Sequence, residues 1–167
     1  SWLHQDTSYL ANDRPRYTML MGIEIPKGQG NTIFSSGFNA YEKLPDEIKN
    51  KIKNATGIFS SAGPIAVTRL EREKEMGIES SNSMEAEHPI VKRVNGKKTL
   101  YVSPGHLMKI KNVDEKDATY LKKYLVEHVN KKEFIFSYEW SKGDICLWDN
   151  LSILHMASEI KNCRRVM

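Results

Sequence analysis

The sequence predicts a mainly β domain with inserted helices, a barrel or jelly-roll built from antiparallel strand pairs and not a repeated βαβ sheet. Three observations carry that prediction. Short runs of strand formers bounded by turn residues crowd both ends of the chain, the stretches with helical periodicity lie between them, and Asn95-Gly96 separates two strand-like runs as a hairpin turn would. With 167 residues, 40% of them hydrophobic and 28% charged, the chain suffices for a single domain, residues 1–167, around one core. No apolar run approaches the roughly 20 residues of a membrane helix, so no membrane partner is expected.

Residues 17–25 are rich in strand formers and end at Pro26-Lys27-Gly28. The turn Gly28-Gln29-Gly30-Asn31 leads into a second strand at Thr32-Ile33-Phe34. Tyr41, Leu44, Ile48 and Ile52 then recur at helical spacing, and Pro45 followed by Asp46 and Glu47 marks a helix start, so residues 38–55 read as one amphipathic helix or two pieces of one. Residues 56–88 lose periodicity and become rich in Ser, Gly and charge; they read as a lid or surface loop with a helical turn around 69–76. The Asn95-Gly96 hairpin joins residues 90–94 to 98–102. Ala118, Leu121, Leu125 and Val129 form one face of a further helix whose first turn is acidic. Three strands close the chain, at 133–140, 144–148 and 151–155, separated by Ser141-Lys142-Gly143 and Asp149-Asn150.

Lys plus Arg number 25 against 21 Asp plus Glu, a formal charge of +4, but the signs alternate, as in Glu71-Arg72-Glu73-Lys74-Glu75, so a nucleic-acid partner is not expected. Two cysteines, Cys146 and Cys163, make neither a disulfide scaffold nor a thiolate-rich zinc site; they read as reduced thiols of a cytoplasmic protein. The chain begins with Ser1, without an initiator Met or a secretory signal and almost inside a motif, which reads as a trimmed or fragmentary chain.

The candidate chemistry starts at His4-Gln5-Asp6. On a strand, residues two apart share a face, so imidazole and carboxylate would converge on one ion. His155, at the end of the last strand, is the candidate third corner of a two-histidine, one-carboxylate face. Such a face leaves positions open on an octahedral metal, which suits Fe(II), a bidentate oxo-acid and dioxygen, whereas a structural zinc site would be closed. A guanidinium from Arg164-Arg165 and the Thr32 hydroxyl could both serve a carboxylate of something bound to that metal. The segment from Gly28 to Thr32 lacks the Lys-Ser/Thr ending of a phosphate-cradling loop.

Trp2-Leu3-His4-Gln5-Asp6-Thr7-Ser8-Tyr9, Gly30-Asn31-Thr32, Ala40-Tyr41, His88-Pro89, Leu100-Tyr101-Val102, Trp148-Asp149-Asn150 through His155, and Arg164-Arg165-Val166-Met167 follow one another along the chain. In this order they resemble the taurine dioxygenase (TauD/TfdA) family of Fe(II)/2-oxoglutarate-dependent dioxygenases. The resemblance implies a double-stranded β-helix, the cupin-like jelly-roll, with His4, Asp6 and His155 as iron ligands. It implies that Thr32 and Arg165 bind the distal carboxylate of 2-oxoglutarate, that Arg164 is structural, and that Trp2 and His106 border the substrate. The cofactors implied are Fe(II), 2-oxoglutarate as co-substrate, and O2. The reaction implied is hydroxylation of a small, anionic organic substrate, sulfonate-like or aryloxyacid-like, with release of succinate and CO2. Asp6 implies hydroxylation over halogenation, since a halogenase leaves that position to halide. The chain departs from the family at Gln29-Gly30, where two adjacent glycines are usual. The competing expectation is a non-catalytic jelly-roll binding module; association into a homo-oligomer is compatible with either.

Overall fold

The computed structural model describes residues 2–67, 71, 74–76, 83–161 and 163–167. In chain order the described strands and α-helices are β1 (Tyr17–Met21), β2 (Thr32–Ser36), α1 (Gly37–Glu42), α2 (Asp46–Ile52), β3 (Thr56–Ser60), β4 (Glu85–Pro89), β5 (Val91–Val94), β6 (Lys97–Leu100), β7 (Leu107–Lys111), α3 (Glu115–Val129), β8 (Ile135–Tyr138), β9 (Ile145–Asp149) and β10 (Ile153–Ala157). Every described ladder is antiparallel. Strands from opposite ends of the chain interleave: β1 pairs with β9, and β2 lies between β10 and β8. This is the mainly β, jelly-roll-like weave that the sequence predicts, with the helices inserted between its halves.

Local chemistry explains the elements. The Ser36 hydroxyl accepts from Asn39 N and caps α1, while Pro45 divides the 38–55 periodicity into α1 and α2 and leaves Asp46 and Glu47 in the first turn of α2. The carboxylate of Asp114 caps α3, which buries Leu121, Leu125 and Val129 completely. Each such burial is worth about 1.5–3 kcal/mol. Asn95 and Gly96 both take positive φ, 50° and 80°, as a two-residue hairpin turn between β5 and β6 requires. The core runs from Leu3 and Leu154 through Phe59, Leu100, Tyr101 and Leu107 to the inner faces of α2 and α3.

Two strands lie where the sequence suggests an irregular excursion. β3 and β4, the two ends of the 56–88 stretch, pair with each other from Thr56↔Pro89 to Ser60↔Glu85, and β7 adds to the other edge of β3. Gly57 and the charged alternation of Glu85-Ala86-Glu87-His88 hide this ladder, because its inward positions are a small residue and a histidine. The helical turn expected around 69–76 falls largely outside the described residues. No described helix is long and apolar enough to cross a membrane.

Candidate active site

His4 and His155 meet because they are a bridged backbone pair. His4 N donates to His155 O at 3.0 Å and His155 N to His4 O at 2.9 Å, which joins the chain's first residues to the middle of β10. The rings lie 4.4 Å apart. Asp6 completes the group: its Oδ1 is 3.7 Å from His4 Nε2 and 3.4 Å from His155 Nε2. One donor atom from each of the three residues falls within 4.8 Å of the others, the only such cluster among the described residues.

The sequence places His4 and Asp6 together as alternate residues of a strand; the structure reaches the same convergence differently. Only His4 is bridged, and residues 6–9 form a turn. Asp6 is held from outside its own segment. The Thr18 hydroxyl donates to Asp6 Oδ2 at 2.6 Å, and Asn150 Oδ1 accepts from Asp6 N at 3.4 Å while its amide donates to Thr18 Oγ1 at 2.8 Å. Thr18 can do this because alternation along β1 turns it inward, opposite Trp148 of β9. The same device fixes His4, whose Nδ1 faces the Trp2 carbonyl at 2.9 Å and so leaves Nε2 for the cluster.

Electrostatics favour the metal-binding forms of Asp6 and His4. Burial pushes the Asp6 carboxyl up, but the bonds from His155 and Thr18 and the charges of the two histidines outweigh it and hold the group well below the usual carboxylate range. Burial and the neighbouring His155 push His4 down, toward the neutral imidazole that a metal requires.

Thr32 and Arg165 also meet. Thr32 pairs with Ala157, two residues beyond His155 on β10, so its side chain shares the face of His155 roughly 7 Å further along. The Thr32 hydroxyl receives Arg165 Nη2 at 3.1 Å and the indole N–H of Trp140 at 2.9 Å. The Arg165 Nε is buried without a partner, and among the described residues no carboxylate lies within ion-pair reach of this guanidinium. Gly30, at φ +73°, makes room for it: a Cβ there would stand 2.9 Å from Arg165 Cδ. Arg164 instead faces Glu24 at 3.7 Å on the exposed surface.

His106 lies near the cluster, its ring edge-on to His4 at 5.7 Å and its Nδ1 2.8 Å from Ser8 Oγ. Burial and the charge of His4 push its pKa down to about 4. Trp2 is 46% exposed, and its backbone carbonyl, not its ring, touches the cluster through His4. The sequence reading missed Thr18 and Trp140. Thr18 could have been found as an inward position of the predicted first strand; Trp140 carries no signal of its own.

A facial two-histidine, one-carboxylate set with an open side, and a half-buried arginine further along the same face of a jelly-roll, define a class of mononuclear metal proteins. The chain belongs to the family described as "Taurine catabolism dioxygenase TauD, TfdA family", which matches residues 1–167. It is 32% identical over 167 residues to an alkylsulfatase of Acinetobacter baylyi, covering 94% of this chain and 51% of that protein. It is 25% identical over 155 residues to an alpha-ketoglutarate-dependent 2,4-dichlorophenoxyacetate dioxygenase of Cupriavidus pinatubonensis, covering 91% of this chain and 52% of the relative. Its fold matches the crystal structure of a taurine dioxygenase from Burkholderia xenovorans with a TM-score of 0.76 at 26% identity, covering 95% of this chain and 52% of that one. The chain thus spans about half the length of the curated relatives it matches.

Proposed function

We propose that this chain carries the metal and co-substrate site of an Fe(II)- and 2-oxoglutarate-dependent dioxygenase that hydroxylates a small, anionic organic substrate and releases succinate and CO2. The observation that carries the reading is the convergence of His4, Asp6 and His155 on the strand face that also presents Thr32 and Arg165. The donor set fits Fe(II): two imidazoles and one carboxylate, with one side left to other ligands. The distal site fits a dicarboxylate: a half-buried arginine with its Nε buried and no counter-anion among the described residues, one two-residue strand step from His155.

In this reading His4, Asp6 and His155 would hold the iron through Nε2, Oδ1 and Nε2. Arg165 and Thr32 would bind the distal carboxylate of 2-oxoglutarate and so orient it. Iron and co-substrate, when bound, would supply the oxidising chemistry, one atom of O2 going to succinate and the other to the hydroxyl of the product. The chain's own work is positional. Thr18 holds Asp6 Oδ2 so that Oδ1 faces the histidines, Trp2 O orients His4, and the Trp148 ring, tilted with its centroid 4.7 Å from that of His155, keeps water from its flank. His106 and Trp2 border the substrate. The described segment around Ile65, just after β3, is the candidate cover: Ile65 N donates to Gly105 O, and a Cβ on Gly105 would stand 3.1 Å from the Ile65 Cβ and 3.4 Å from the His4 Cβ. The two free thiols suit a reducing, cytoplasmic setting.

The test is anaerobic titration with Fe(II) and 2-oxoglutarate, followed by the visible charge-transfer band of the chelate and then by succinate release on adding O2 and candidate substrates. A band that appears in the parent protein and weakens in Arg165→Ala is the expected result. Folded protein that gives no band overturns the reading in favour of a non-catalytic jelly-roll module.

A further inference from the structure

A cavity of about 450 Å3 opens beside the metal cluster, with Asp6 on one wall and Arg14, Arg16, Tyr101 and Asn150 among the others. Its two cations differ. Arg16 is neutralised by Asp149 at 3.2 Å. Arg14 has no carboxylate partner among the described residues: it donates to the Leu10 carbonyl at 3.0 Å, and the same Nη1 lies against the His88 ring, 2.7 Å from Nδ1 and 2.5 Å from Nε2. Both partners are neutral: one is a carbonyl, and the other is a histidine that burial and the charges of Lys92 and Arg14 hold well below its ordinary pKa. They aim the guanidinium and leave its charge unmatched.

A second unmatched cation sits close behind. The Lys92 ammonium lies 3.5 Å from the centroid of the buried Tyr101 ring, also without a carboxylate partner among the described residues. Burial and the charge of Arg14 push Lys92 down to about 7; burial, then Lys92 and Arg14, push His88 down to about 4. The carboxylates that face the cavity do not answer this charge. Asp6 is engaged by Thr18 and the histidines, and Asp13 is an exposed lining residue with no ion pair among the described residues. Two half-buried cations held together without an anion are costly unless an anion arrives.

We propose that this cavity seats the anionic group of the substrate, with the Arg14 guanidinium as its principal contact and Lys92 as a supporting charge. The ligand chemistry is an oxyanion on an organic tail, a sulfate ester or sulfonate on one hand or a carboxylate on the other. Asp6 on the adjoining wall places the tail of such a molecule beside the metal cluster. The assignment of this oxyanion as the substrate's own rests on the dioxygenase reading above; the anion site itself does not.

Calorimetric titration with hexyl sulfate, phenoxyacetate and neutral hexan-1-ol, without metal and again under anaerobic Fe(II) and 2-oxoglutarate, tests the proposal on the parent protein, Arg14→Gln, Arg14→Lys and Lys92→Met. One or both anions should bind the parent and lose roughly 10- to 100-fold in affinity in Arg14→Gln. Arg14→Lys, which keeps the charge, should lose less, Lys92→Met should lose several-fold, and hexan-1-ol should not distinguish the proteins. The anion that binds identifies the source, sulfate ester or carboxylate. The chelate band, recorded on the same variants, should be unchanged by Arg14→Gln. Equal anion affinity in the parent and Arg14→Gln overturns the proposal, as does the absence of anion binding in both metal states. Anion binding that depends on Arg14 in a protein without a chelate band upholds the site and sinks the dioxygenase reading.

Discussion

The two faces of the β1·β9 ribbon are built from the same ten residues and do opposite things. Its inner face carries Thr18, which holds Asp6, and Trp148, whose ring lies tilted against His155 and edge-on to Phe34 across the interior. Its outer face leaves Tyr17, Met19, Met21, Ile145 and Leu147 exposed, Met19 and Leu147 at 63% each. Period-2 alternation produces both faces at once, so a single register places the site and the apolar surface. The inner face is specified by hydrogen bonds to particular atoms, and the outer face by hydrophobicity alone. Substitutions should therefore matter for opposite reasons on the two sides.

The largest effect belongs to the group the inner face exists to hold. Asp6→Ala removes the anionic donor and leaves two imidazoles facing an empty corner; succinate release should fall to background while the folded structure persists, since Asp6 lies in a turn outside the core cluster. Full activity in that variant would sink the ligand assignment. Thr18→Val comes next. It preserves shape and strand propensity but frees Asp6 Oδ2 and leaves the Asn150 amide only its bond to Pro15 O, and Fe(II) affinity should drop by about 10- to 100-fold, read from the titration midpoint of the chelate band.

At the other end of the face, Gly30→Ala should raise the 2-oxoglutarate requirement without touching the metal donors. The added methyl meets Arg165 Cδ, and the residue must hold φ +73°, at a cost of about 1–3 kcal/mol. The expected signature is a higher 2-oxoglutarate midpoint with an unchanged Fe(II) midpoint, together with a lower urea midpoint.

How far the sequence discloses these parts follows from how each is held. His4, Asp6 and His155 are legible because metal donors are few in kind and their spacing forms a pattern, although Asp6 reaches its place through Thr18 and Asn150 and not through the strand geometry that the spacing suggests. Thr32 and Arg165 are legible within their motifs. Thr18, Trp140 and Arg14 are not, because a hydroxyl, an indole and a guanidinium are ordinary strand and surface residues until the fold supplies their partners, 12, 108 and 74 residues away along the chain. The helices and the Asn95-Gly96 hairpin follow from local rules. The β3·β4·β7 sheet does not, since Gly57, Ala86 and His88 occupy inward positions that β-propensity assigns to larger apolar residues.

A smaller effect concerns pH. His88 is buried, and burial, Lys92 and Arg14 push it down to about 4. Between the ordinary histidine value near 6.5 and about 4, the unfolded chain takes up a proton that the native state refuses, so the unfolded state binds more protons and stability falls as pH falls through that window. Below about 4 this contribution levels off. His106, also pushed to about 4, adds a parallel loss. Urea midpoints measured between pH 7 and 4 should decline more gently in His88→Gln; an unaltered slope would mean that His88 accepts its proton without cost.

The smallest effect is expected on the outer face, and it is the sharpest test of the opening contrast. Met19 and Leu147 are directly opposite in the β1·β9 register, so Met19→Thr with Leu147→Thr removes an exposed cross-strand apolar pair and puts β-branched strand formers in its place. Exposed positions contribute little to folding, and the stability change should stay within about 0.5 kcal/mol. The chelate band and the Fe(II) midpoint should be those of the parent, because neither side chain reaches Asp6, His155 or the Thr18 hydroxyl. Solubility should rise, since the patch that shrinks is one that drives non-specific association. A shifted Fe(II) midpoint in this double variant would show that the ribbon transmits strain from one face to the other, and the separation of positioning from packing would fail at the strand where it is drawn most clearly.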